Sequence, residues 1–185
     1  LKVVMPSTPY DAKGLLIASI EDDNPVIYID ERWLYDTVAE VPEELYSEPI
    51  GKGVIRRAGK DVTVVAASYM VLEAAKAAVI LEEEGIDAEV IDLRSLKPLD
   101  ESLLFDSVRK TGRLVIADGG WKTGGVTAEV SALVAEKAFS DLKAPIMRVS
   151  LPDTPAPGSS ALEKVFYPDS DDIILAVKKV LQQKQ

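Results

Sequence analysis

The residues best placed to do chemistry stand between Asp118 and Val126, in the stretch Asp-Gly-Gly-Trp-Lys-Thr-Gly-Gly-Val. A glycine-rich loop between a strand and a helix can cradle a phosphate, because backbone N–H groups converge there and the helix dipole favours an anion. Lys122, Gly124 and Gly125 are the candidate anion-binding residues on this reading. The spacing matches neither G-x-G-x-x-G nor G-x-x-x-x-G-K-[ST]. Gly119 and Gly125 bracket five residues, but no Lys-Ser or Lys-Thr pair follows the second glycine. The residues favour the simpler account, a tight strand-to-helix turn in which glycines supply positive φ and Trp121 packs or meets a neighbour.

Three acidic clusters invite a metal reading: Glu21 to Asp23, Glu82 to Glu84 and Asp169 to Asp172. None has the alternating acids and central glycine of a calcium loop. Glu82 to Glu84 end an amphipathic helix and are expected to be solvated, and the acids at 169–172 suit an N-cap and its dipole partners. The stretch Ser-Ile-Glu-Asp-Asp-Asn-Pro closes a helix and could offer carbonyls and a carboxylate to a hard cation, although Asp-Asn-Pro is also ordinary turn chemistry. The loop Pro-Asp-Thr-Pro-Ala-Pro-Gly-Ser-Ser (152–160) follows a strand and is stiffened by prolines, which suits a site, an interface or a rigid connector.

The residue types that are missing narrow the field further. Among 185 residues there is no histidine and no cysteine. The usual general base near neutral pH, the commonest metal ligand and every Ser–His or Cys–His pair are therefore excluded from this chain. Thiolate chemistry and disulfides are excluded too, which is compatible with a cytoplasmic location. The formal net charge of −10 opposes nucleic acid and anionic membrane as partners and suits a basic protein. No apolar run reaches the roughly 18 residues a membrane span requires. The chain starts on Leu1 without an initiator Met, and is expected to be a fragment.

The elements that must hold these residues follow from periodicity. Leu1 to Ser7 read as a short strand, and Ser7 or Thr8 as the N-cap of a helix with Pro9 at its first position and Tyr10 to Ile20 as its body. Val26 to Asp30 read as a strand. From Glu31 to about Lys52 the periodicity fails, which predicts a linker. Gly53 to Arg57 then read as a short edge strand, Val62 to Ala67 as a strand, and Val71 to Glu84 as a helix. Its expected apolar stripe is Leu72, Ala75, Ala78, Val79 and Ile80, with Gly85 just beyond its C-terminus. Ala88 to Leu93, Arg113 to Asp118 and Ala144 to Leu151 read as strands. Helices are expected at Asp100 to Gly112, after the glycine loop, and at Asp171 to Lys184. This alternation predicts parallel β-α-β units with helices on both sheet faces.

Several stretches in order carry a family resemblance, among them Val-Val-Met-Pro-Ser-Thr-Pro-Tyr-Asp-Ala-Lys-Gly-Leu-Leu (3–16), and most specifically Val-Ile-Asp-Leu-Arg-Ser-Leu-Lys-Pro-Leu-Asp (90–100) with Lys-Thr-Gly-Arg-Leu-Val (110–115) following. The chain resembles the C-terminal half of the beta subunit of the thiamine-diphosphate-dependent decarboxylase component of 2-oxo acid dehydrogenase complexes, of the pyruvate, branched-chain or acetoin type, within the transketolase superfamily. The resemblance implies an α/β fold, a three-layer α/β/α transketolase C-terminal domain with a mixed five-stranded sheet, mostly parallel with one antiparallel edge strand. It implies that residues 1–30 are a remnant of the pyrimidine-binding domain, 31–50 a linker and 51–185 the C-terminal domain. Thiamine diphosphate and Mg would bind outside this part, with the catalytic groups upstream of Leu1, so the isolated part is expected to be inactive and to serve assembly.

By the same resemblance, Ser19, Asp22 and Asn24 would belong to a structural K⁺ site completed by upstream sequence. The implied partners are an alpha subunit, a second beta subunit and the basic subunit-binding domain of the lipoyl acyltransferase. The chain departs from the family near Ala67-Ser68-Tyr69-Met70, where many members have Tyr-Gly or a similar small residue, and at Ala117-Asp118-Gly119-Gly120, where many carry an acid pair. Two other functions stay open at this point: a free-standing nucleotide- or anion-binding domain using Gly119 to Gly125, and the C-terminal domain of a transketolase.

Overall fold

The computed structural model describes residues 1–183. The chain opens with β1 (Lys2–Val4), α1 (Pro9–Glu21) and β2 (Val26–Tyr28). Helix α1 starts as expected: the Thr8 hydroxyl accepts from the Asp11 N–H at 3.1 Å, and Pro9 stands where no N–H is needed. Between residues 31 and 53 the only regular element is a 3-10 turn at Arg32–Leu34. The remainder runs β3 (Val54–Arg57), β4 (Val62–Ala66), α2 (Tyr69–Glu83), β5 (Ala88–Asp92), β6 (Ser95–Lys97), α3 (Glu101–Thr111), β7 (Leu114–Trp121), α4 (Val126–Lys137), β8 (Met147–Leu151), α5 (Ser160–Phe166) and α6 (Ser170–Gln182).

Five strands form the main sheet in the order β3-β5-β4-β7-β8. The pairs β4/β5, β4/β7 and β7/β8 are parallel, and the edge strand β3 runs antiparallel to β5. This is the mixed sheet with one antiparallel edge that the resemblance implied. Side chains alternate across it. Val62, Val64, Val90 and Val115 face α2 and α6, where Ala74, Ala77, Leu81, Ile173 and Val177 cover them. Val65, Ile91, Leu114 and Ile116 face the opposite way, under Leu104 and Val108 of α3 and Val130 and Val134 of α4. Strands buried on both faces are what parallel β-α-β units produce.

The connections set the geometry of the sheet's upper edge. The crossover from β4 through α2 leads to β5 on one side. The crossover from β5 through α3 passes β4 and lands on β7 at the other side. Beyond the C-terminal ends of β4 and β7 the chain therefore diverges to opposite faces, and a crevice opens between the two turns.

The structure differs from the sequence reading in five places. The stripe Leu72, Ala75, Ala78, Val79 and Ile80 is out of phase: Val79 and Ile80 are exposed, and the buried face is Met70, Val71, Ala74, Ala77, Ala78 and Leu81. This helix is apolar nearly all round, so its sequence sets no unique phase, and close packing on the sheet selects the small alanines. Glu73 joins that buried face because Lys76 Nζ and the Ser170 N–H both donate to it, at 2.7 and 3.0 Å. Strand β7 runs on through Gly119 and Gly120 to Trp121, since β8 continues to pair with it as far as Trp121↔Leu151. Strand β6 was not expected, and it leaves the main sheet to pair antiparallel with β1, giving a second sheet β2-β1-β6. Helix α5 was also not expected. The last helix starts one residue before the expected Asp171, and its expected end at Lys184 lies outside the described residues. Its acids act as predicted, with Asp169 and Asp172 forming a capping box.

Candidate functional site

The glycine loop is held by its own chain. The Lys122 N–H donates to the Leu151 carbonyl at 3.1 Å, and the Lys122 carbonyl accepts from Arg148 Nη1 at 3.1 Å. The Thr123 N–H and hydroxyl donate to the Asp153 carboxylate at 3.2 and 2.5 Å. Those bonds hold the Asp153 carboxyl below the usual carboxylate range. Gly124 has φ +71°, and a Cβ on Gly125 would lie 2.1 Å from the Trp121 carbonyl oxygen. Lys122, Gly124 and Gly125 thus share one tight turn whose Thr123 N–H already meets an internal carboxylate, while the Lys122 side chain is exposed.

The three candidate cation-binding residues lie at the end of α1. Asp22 accepts from the Asn24 N–H and Nδ2 at 2.9 and 3.1 Å, and from the Lys2 ammonium. The Lys2 and Asn24 bonds hold the Asp22 carboxyl down at about 2. Ser19 Oγ donates back to the Leu15 carbonyl at 2.6 Å, so Asp22 and Asn24 are brought together and the Ser19 proton is directed into the helix. The Asp22 carboxylate is thus already met by the Lys2 ammonium, and Asn24 turns its amide nitrogen rather than its oxygen toward it.

Two features had no motif. The first is a buried ion network where α1 meets β3 and β5. Arg94 Nη1 donates to Asp11 Oδ1 at 2.9 Å and to Glu48 Oε2 at 2.8 Å, while Arg56 bonds Asp11 and reaches Asp92 at 2.8 Å. Ser7 donates to Asp92 as well. Burial opposes charge on Asp11, but the Thr8 hydroxyl and the two guanidiniums outweigh it and hold this carboxyl below its ordinary value. The partners come from segments dozens of residues apart, which is why spacing alone did not reveal them.

The second feature lies in the crevice between the β4 and β7 turns. Ser68 caps α2 in position but makes no capping hydrogen bond, and its φ of 51° with ψ −129° is a conformation that L-residues rarely adopt. It is 2% exposed, and among the described residues its hydroxyl has no hydrogen-bond partner. Across the crevice Asp118 accepts from the Gly120 N–H at 3.0 Å, and burial pushes its carboxyl above the usual range. Trp33 closes one side, edge-on to Tyr69 at 4.9 Å and to Tyr167 at 4.6 Å. The sequence signal was the departure near Ala67 to Met70, where the resemblance implies Tyr-Gly or a similar small residue, since a positive φ favours glycine.

Comparison with known proteins decides the family. The model of the transketolase C-terminal domain matches residues 51–173. The chain belongs to the transketolase C-terminal domain family. Its family relatives include the beta subunit of acetoin:2,6-dichlorophenolindophenol oxidoreductase from Bacillus subtilis, 46% identical over 98% of this chain and 53% of that protein. The beta subunit of the pyruvate dehydrogenase E1 component from the same organism is 44% identical over 98% of this chain and 56% of its own length. The corresponding subunit of Rickettsia felis is 46% identical over 97% of this chain and 55% of that protein. The chain spans about half the length of these curated relatives. A solved structure described as a split gene transketolase, inactive beta4 tetramer, superposes with a TM-score of 0.80 at 32% identity, covering 100% of this chain and 58% of that one. Among the described residues no helix is long and apolar enough to cross a membrane.

Proposed function

We propose that this chain is the C-terminal part of a 2-oxo acid dehydrogenase beta subunit and serves subunit assembly rather than the chemical step. The observation that carries the reading is likeness along 98% of the chain to beta subunits of pyruvate dehydrogenase and acetoin oxidoreductase. A transketolase C-terminal domain is the weaker alternative, because the solved transketolase is less similar, at 32% identity. The whole protein would oxidatively decarboxylate a 2-oxo acid such as pyruvate with thiamine diphosphate and Mg, bound outside these residues, and pass the acyl group to lipoamide.

In this reading residues 1–30 end the pyrimidine-binding domain, 31–50 link, and 51–185 form the C-terminal domain. The partners are an alpha subunit, a second beta subunit and the basic subunit-binding domain of the acyltransferase. Apolar side chains left exposed on α1 (Ile20), α5 (Val165) and α6 (Leu175) support contact with other protein surfaces, and the net charge of −10 supports a basic partner. A cytoplasmic location belongs to the same reading.

The test is reconstitution of the full-length beta subunit with its alpha subunit. Pyruvate- or acetoin-dependent reduction of an artificial electron acceptor, requiring thiamine diphosphate, is expected. Failure of the two subunits to co-elute would overturn the assembly role. The K⁺ reading of Ser19, Asp22 and Asn24 is tested in the same complex. A melting temperature higher in KCl than in choline chloride, with the difference lost in Asp22→Ala, is expected, and equal melting in both salts would overturn it. The anion reading of Lys122, Gly124 and Gly125 is the second choice, since Asp153 already meets the loop.

A further inference from the structure

The crevice above β4 and β7 has the features of a binding site in its own right. It has a volume of about 630 Å³ and is lined by Ser68, Asp118, Trp33, Tyr69 and Tyr167 among others. That size falls in the range of small-molecule sites, and its place is the topological switch point at which open α/β sheets take ligands.

Three observations point to an occupant. The Ser68 hydroxyl is buried without a partner among the described residues, and the backbone that presents it is strained. Groups of this kind cost stability and cluster at active sites, ligand clamps and positions held by ordered water. Asp118 is buried with backbone N–H donors and no cation among its partners, so it keeps acceptor capacity for hydroxyl groups. Trp33 lines the crevice beside Tyr69 and Tyr167 and is about half exposed, so an aromatic group is available to a ring-bearing ligand.

Charge selects among ring-bearing ligands. Asp30, Glu31 and Asp118 line the crevice against Arg32 alone, a balance that disfavours phosphates despite the nearby N-terminus of α2. No histidine stands in the chain to take the serine proton, so the hydroxyl's role is to bind and not to attack.

We propose that this crevice binds an uncharged nucleoside, with its base against Trp33 and its ribose hydroxyls on Ser68 and Asp118. The site is separate from the glycine turn at Lys122 to Gly125. Because Trp33 lies between residues 31 and 50, a bound nucleoside would tie that segment to the main sheet.

The experiment is titration of the protein with adenosine, ribose, ATP and inorganic phosphate, followed by tryptophan fluorescence and calorimetry. Adenosine is expected to bind saturably, ribose more weakly, and ATP and phosphate more weakly than adenosine. Ser68→Gly suits the positive φ, so it folds at least as well as the parent; it is expected to weaken adenosine binding roughly tenfold through loss of the hydroxyl bond. Asp118→Asn is expected to weaken binding at least as much, and Trp33→Phe to remove the fluorescence change that Trp121→Phe preserves. No saturable heat with adenosine at millimolar concentration would overturn the proposal. Tighter binding of ATP or phosphate, or adenosine binding untouched by both Ser68→Gly and Asp118→Asn, would do the same.

Discussion

Arg94 and Asp11 are 83 positions apart in the chain, and Nη1 of the first donates to Oδ1 of the second at 2.9 Å. Both side chains are almost wholly buried, at 8% and 1% exposure. Through this pair and the neighbouring Arg56, α1 is fixed to the strand ends of the main sheet. The charges lie away from water, so each needs its partners, and removing one leaves the others unpaired in a poorly solvating setting.

The first prediction follows from that dependence. Asp11→Ala leaves Arg94 and Arg56 short of a carboxylate, and is expected to cost about 3–5 kcal/mol of unfolding free energy. Urea denaturation measures it. A loss below the size of an ordinary surface substitution would mean that α1 is held by its apolar contacts alone.

The same network sets an acid limb. The carboxyl of Asp11 is depressed in the folded protein, so its contribution is fully present above the unfolded value of 3.8 and is lost as pH falls through the lower folded value. Stability is expected to drop as acid is added below that point. In Asp11→Asn the drop should be shallower, read as the slope of unfolding free energy against pH.

Asp118 should behave in the opposite sense. Its folded carboxyl is raised by burial, so its charge opposes folding at neutral pH, and that cost is relieved as pH falls through the raised value. Asp118→Asn is therefore expected to stabilise the protein at pH 7. The gain should shrink on acidification and vanish below the unfolded value of 3.8. A melting curve series across pH decides it, and an equal gain at every pH would refute the cause.

Neighbouring glycines give a steric contrast. Gly125→Ala drives a Cβ to 2.1 Å from the Trp121 carbonyl oxygen, and is expected to cost about 2–4 kcal/mol. Gly124→Ala meets no atom within 4 Å, and its cost of about 1–2 kcal/mol comes only from the φ of +71°. Chemical denaturation of both variants tests the order. Lys122→Ala, in the same turn but exposed, is expected to change stability by less than about 0.5 kcal/mol.

Much of the architecture was legible along the chain, because it rests on local rules. Thr8 and Pro9 mark the start of α1, and Asp169 with Asp172 mark that of α6. Val62 to Ala66 is a short apolar run bounded by turn residues, and alternating strands and helices lead to a parallel sheet. Where composition was nearly uniform, as in α2, the element was clear but its buried face was not. Strand β6 escaped because its partner β1 is more than ninety residues away, and three residues carry too little pattern of their own.

The sequence by itself settled the class of fold, the family and the exclusion of histidine and cysteine chemistry, since these depend on residue types and short-range order. Tertiary structure alone decided which polar groups meet. It joined Asp11 to Arg94, gave Thr123 to Asp153, and left Ser68, across from Asp118, strained and without a partner among the described residues. The reason is geometric: the sheet brings together the ends of β4 and β7, strands more than forty residues apart, and no spacing in the chain records that meeting.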